Sequence, residues 1–189
     1  TTIKLIKKKI YYWSPSLVNI ATVKAVINSA YSLNKYDHEY EAKIINFFGE
    51  FKRFRAELDE KKIKTIDLFK SNLINFLPKH GKIYSRISFL LIFVFSFLPL
   101  KNLLKKNQPE YLIIHLITSL PLFLLILFKF KTKFILRISG LPKMNVFRKF
   151  LWKIAFKKID KVTCPTQSTL LYLKSLNISY KENDTTYKL

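Results

Sequence analysis

"YLIIHLITSLPLFLLILF" (residues 111–128) decides the fold. Read whole, it is about as long as a membrane span needs to be. Yet His115, Thr118, Ser119 and Pro121 fall near its centre, where a bilayer tolerates polar groups least. Divided, it makes better sense. "YLIIHL" is a short, bulky apolar run of the kind expected of a parallel strand buried on both faces. "ITS" is a loop, and Ser119 and Pro121 suit the start of a helix over "LPLFLLILFKF". A second apolar stretch, "ISFLLIFVFSFLPL" (87–100), is too short for a convincing span.

The same rhythm extends in both directions. Upstream, "KKIYYWS" (8–14) reads as a strand and "ATVKAVINSAYSL" (21–33) as a helix, with Val23, Val26, Ile27, Ala30 and Leu33 on one stripe. "EAKIINFF" (41–48) and "KIKTIDLF" (62–69) read as strands. The stretch 84–106 reads as a helix with a kink or break near Pro99. Residues 49–83 are the weakest region, with "GEFKRFRAELDEKK" and "LPKHGK" read as loops or an excursion. Downstream come strand 133–139, helix 145–158, strand 161–165 and helix 167–176. Strands alternating with helices predict an α/β fold, a three-layer α/β/α domain on a mainly parallel, doubly wound sheet. One domain is expected over 1–176, followed by an irregular tail, 177–189.

The net charge of +22, from 34 Lys and Arg against 12 Asp and Glu, points to a polyanionic partner. Part of it follows from a Lys-, Ile- and Asn-rich composition. An apolar fraction of 49% predicts a folded chain. The single Cys, Cys164, excludes an internal disulfide framework and fits a reducing compartment. It reads as an inert buried thiol. The opening "TTIKLIKKKIYYWSP" has no long apolar core of a secretory signal, so a cytoplasmic location is expected. P-loop, G-x-G-x-x-G, H-E-x-x-H and G-x-S-x-G motifs are absent from the sequence. His38, His80 and His115 lack metal-ligand spacing, and no metal is expected.

In a doubly wound sheet, ligands bind beyond the carboxyl ends of the strands. Those ends fall at "WSPSLVNIAT", "HLITS", "RISGLPKMN" and "CPTQST". With "PEYLIIHLITSLPL" and "ILRISGLPKMNVFRKFLWKIAFKKIDKVTCPTQST", they resemble the N-terminal, Rossmann-like domain of family-four retaining glycosyltransferases of the GT-B type. The likeness covers roughly residues 8–176 in pattern and order. The first loop departs from many relatives in having no Gly, which bears on backbone approach to a donor phosphate.

The resemblance implies metal-independent, retaining transfer of a sugar from a nucleotide-sugar donor, a co-substrate rather than a cofactor. The acceptor implied is a glycan or a lipid-linked intermediate of cell-envelope synthesis. It also implies a C-terminal donor-binding half with paired glutamates, to which nothing in these residues corresponds. His115 is the catalytic candidate, or else a core His bonded to backbone. Arg137 would bind a phosphate or an internal carboxylate. Ser14, Asn19, Thr22, Thr118, Ser119, Ser139, Gly140 and Lys143 complete the acceptor- or phosphate-binding set. Thr22 or a neighbour, Thr118 and Ser119 double as helix caps, and Gly140 as a tight-turn residue.

Helix 145–158 places Lys149, Lys153 and Lys157 on one stripe, with Trp152 near the border of an apolar face. These are candidates for an anionic membrane surface, implying a peripheral protein. A nucleic-acid-binding module is the alternative the charge allows, although no signature of one is present. A small integral membrane protein is the other. No specific nucleic-acid partner is expected.

Overall fold

The computed structural model describes residues 7–16, 21–69 and 82–176. Asn19 and the tail 177–189 lie outside them. Six parallel strands form one sheet in the order β3-β2-β1-β4-β5-β6. They are β1 (Lys8–Trp13), β2 (Tyr40–Asn46), β3 (Lys64–Asp67), β4 (Tyr111–Ile114), β5 (Lys133–Arg137) and β6 (Lys161–Thr163). The helices are α1 (Ala21–Tyr36), α2 (Arg55–Glu60), α3 (Lys82–Asn107), α4 (Ser119–Leu127), α5 (Val146–Ala155) and α6 (Gln167–Ser175). This is a doubly wound, Rossmann-like α/β fold whose strand order reverses between β1 and β4.

Alternation along the strands builds two cores. Ile10, Tyr12, Ala42 and Ile44 point to one face and pack against Val23, Val26, Ile27 and Ala30 of α1 and Leu58 of α2. Tyr11, Trp13, Leu112, Ile114, Phe134 and Leu136 point to the other, where they meet Leu100 and Leu104 of α3, Leu120 and Leu124 of α4, and Leu151, Trp152 and Ala155 of α5. The central strand β1 is buried on both faces from Ile10 onward, as its unbroken apolar run requires.

The stretch 111–128 divides as its polar residues demand, into β4, a loop and α4. Among the described residues, no helix is long and apolar enough to cross a membrane. Two expectations fail. The charged stretch 49–62 is not a loop: a 3₁₀ turn (Lys52–Phe54) leads into α2. Phe51, Phe54 and Leu58 are buried beneath it at helical spacing. Nor does α3 break at Pro99, one of the two outcomes expected there; a kink is compatible with the continuous helix. Buried Ile92, Ser96, Leu100 and Leu104 hold it on both sides of the missing amide.

Candidate functional site

The ends of β1 and β4 meet at the carboxyl edge at the switch point. β4 pairs with β1, and the His115 amide donates to the Trp13 carbonyl (2.9 Å), which fixes the loop leaving β4 beside the loop leaving β1. His115 is buried, and its Nε2 has no hydrogen-bond partner. Its ring lies 6.0 Å from that of Tyr12. Burial, aided by the positive charge of Arg137, lowers its pKa to about 3. The imidazole is therefore neutral at physiological pH. It suits hydrogen bonding to a hydroxyl far better than proton donation.

A cavity of about 560 Å³ opens here. His115, Thr118 and Ser119 line it from the β4–α4 loop, and Arg137, Ser139, Gly140 and Lys143 from the β5–α5 loop. Seven expected residues thus meet in one cleft. Two more lining residues had been given no role in it. Arg148, in the first turn of α5, donates to the Lys143 carbonyl (2.8 Å) and ties the loop to the helix. Trp152 supplies a buried indole Nε1 without a partner. The signal for Arg148 was legible, because a cation in the first turn of a helix opposes the macrodipole unless an anion visits.

Other expectations need correction. Arg137 is exposed at the end of β5 and forms no ion pair with a described carboxylate, so the internal-carboxylate alternative fails among the described residues. It also lines an open groove beside α1 with Tyr12, Asn28 and Ser29. Thr118 takes the N-cap position of α4 in helical conformation, and its side chain makes no capping bond. Thr22 lies inside α1, which begins at Ala21, so it is not the cap. A Cβ added to Gly140 would meet nothing within 4 Å, so no tight turn requires glycine there.

Ser14 is fully buried beside β4 with an unpaired Oγ, but it does not line the cavity. Trp152 (3% exposed) stacks on Phe156 in the core, too deep to touch a membrane. Lys149, Lys153 and Lys157 are exposed. Cys164 is half-buried, and burial raises its thiol pKa.

The backbone is strained where α4 begins. Ile117 has φ 47°, unusual for a β-branched residue. Two interactions hold it. Its carbonyl accepts from Trp13 Nε1 (3.3 Å), and its side chain packs against the Phe47, Phe48 and Ile92 cluster. Strain retained at a cleft is a feature of ligand sites.

This arrangement has solved counterparts. A UDP-N-acetylglucosamine 2-epimerase superposes with TM-score 0.60 at 14% identity, over 96% of this chain and 48% of that one. The UDP-GlcNAc 2-epimerase from Neisseria meningitidis, bound to UDP-GlcNAc, gives 0.59 at 14% identity, over 94% and 45%. The chain spans about half the length of these enzymes. At this identity the likeness shows the fold alone, a Rossmann-like α/β domain of the kind these GT-B-like structures contain, and it does not extend to family-four transferases. No protein-family model matches the sequence, and no curated protein matches it.

Proposed function

We propose that this chain is one half of a nucleotide-sugar enzyme. The observation that carries the reading is the cleft in which neutral, unpaired His115 opens to the same space as Arg137, Lys143 and Arg148. The three cations and the amino ends of α4 and α5 suit a diphosphate. A neutral imidazole suits a sugar hydroxyl. A sugar nucleotide carries both. Our finer reading is retaining transfer, without a metal, to a glycan or lipid-linked acceptor of envelope synthesis. His115 orients the sugar, and the donor-binding wall comes from a further half. Epimerisation is the second reading, favoured because the solved neighbours are UDP-N-acetylglucosamine 2-epimerases.

Calorimetric titration of the 189-residue protein with UDP and UDP-GlcNAc tests the common part. Arg137→Ala should weaken binding of both by about tenfold, the effect of one charge-assisted hydrogen bond, with an unchanged urea midpoint. His115→Ala should weaken UDP-GlcNAc binding and leave UDP unaffected. No measurable binding of either ligand, or an equal loss of stability and affinity, removes the proposal. With the second half supplied, the products separate the readings: free UDP with a glycosylated acceptor for transfer, a 2-epimer for the alternative.

A further inference from the structure

The least expected feature lies away from the cleft. From Ile87 to Leu100 the sequence of α3 is apolar all round apart from Ser88 and Ser96, a pattern that ordinarily means burial on every side. Yet only one side meets the core, through Ile92, Leu100 and Leu104. Opposite them Leu90, Val94, Phe95 and Leu98 are 54–63% exposed, and Ile87 joins them at 43%. From Ile87 to Leu98 this stripe runs about 17 Å along the helix. It ends in Lys101 and Lys105, which lie against the rings of Phe128 and Phe130 at 4.6 and 5.8 Å. Leu141, Val146, Phe147 and Phe150, around the start of α5, form a second exposed apolar group (64–88%) beside Lys149. α3 and α5 belong to the same layer, on either side of α4.

Charge selects the occupant. Between positions 82 and 176 the sequence carries seventeen Lys and Arg but two acidic residues, Glu110 and Asp160. Glu110 pairs with Lys133, and Asp160 accepts from the Phe134 amide (2.7 Å). A second copy of this chain would bring like charge against like charge. A nucleic acid would take the lysines but leave Leu90, Val94 and Leu98 in water. An anionic bilayer satisfies both: acyl boundary for the stripe, headgroups for its basic end.

We propose that the α3 stripe docks in the plane of an anionic lipid bilayer, with Lys101 and Lys105 among the headgroups and the first turn of α5 as a second contact. Lys149 and Lys153 of α5, with Lys157 in the turn that follows it, supply attraction from the same layer. The surface does not depend on the nucleotide-sugar reading.

Vesicle flotation of the 189-residue protein tests it, using phosphatidylcholine with about 30 mol% phosphatidylglycerol and phosphatidylcholine alone. Binding should need the anionic lipid and weaken with salt. Leu90→Gln/Val94→Gln/Leu98→Gln should reduce it about tenfold or more, with an unchanged thermal midpoint because all three side chains are exposed. Lys149→Glu/Lys153→Glu/Lys157→Glu should reduce it less. The proposal is overturned if the protein ignores anionic vesicles, or if the triple Gln variant binds as the parent does. It is also overturned if the stripe proves to be a self-association surface, so that the parent is a dimer without lipid and the triple variant a monomer.

Discussion

Two buried titratable residues set opposing pH responses. Glu50 is 2% exposed, and its carboxyl oxygens accept from the Phe47 and Phe48 amides at 3.0 and 2.8 Å. Burial pushes its pKa up to about 7, helped by the charge of Asp67 and opposed by the amide bonds. The folded protein keeps a proton that the unfolded chain releases above pH 4.5. This contribution is therefore complete below 4.5 and lost as pH rises to about 7. His115 acts the other way. The folded protein refuses a proton that the unfolded chain takes below 6.5, so stability falls as pH drops from 6.5 towards 3. Between pH 4.5 and 6.5 the slopes oppose, each roughly 1.4 kcal/mol per pH unit. Urea unfolding of the parent should be nearly flat across that window. Glu50→Gln should unmask a stability that rises with pH, and His115→Phe one that falls. Flat profiles in all three proteins would rule out the linkage.

At the scale of elements, the strands and long helices were legible because their periods are unambiguous. The short apolar run 8–14 marked β1, and the Val23–Ala30 stripe gave the buried side of α1. α2 was hidden by its charge: a six-residue helix written RAELDE looks like solvent-facing loop unless Phe51, Phe54 and Leu58 are read together. Single-residue docking was also invisible. β3 joins β2 only from Lys43 onward, which would leave the Ala42 backbone without a neighbour on that side. Asn34, near the end of α1, supplies both missing partners: its Oδ1 accepts from the Ala42 amide (2.7 Å) and its Nδ2 donates to the Ala42 carbonyl (3.1 Å). The carboxamide thus extends the sheet by one strand position and locks α1 to β2. Asn34→Ala should cost about 1–3 kcal/mol, the penalty of orphaning backbone groups. Asn34→Asp should recover part of that through the amide alone. A urea midpoint unchanged in Asn34→Ala would show that water replaces the side chain.

Across the whole molecule, the cleft was legible in outline because parallel topology gathers strand ends at one edge. That rule brought His115, Arg137 and the 139–143 loop together. It said nothing of which side chains would be left without partners, and so the unpaired indole of Trp152 emerged only from packing. Function at this scale turns on how much of a reaction one wall can support. Reacting groups must be held in near-attack geometry, and water must be kept from the activated sugar. The cavity supplies cations, a neutral imidazole and two helix amino ends along one edge of the sheet. Its mouth is flanked by exposed Leu141, Val146 and Phe147. On the proposed reading such a surface would bind phosphate and orient a hydroxyl, yet nothing among the described residues closes over a bound sugar. The 189 residues alone should therefore bind sugar nucleotides weakly and turn none of them over, by transfer, hydrolysis or epimerisation. The check is product analysis over a panel of nucleotide sugars with protein shown to be pure. Turnover that vanished in His115→Ala would show that this wall is a complete active site, and the half-enzyme reading would have to be abandoned.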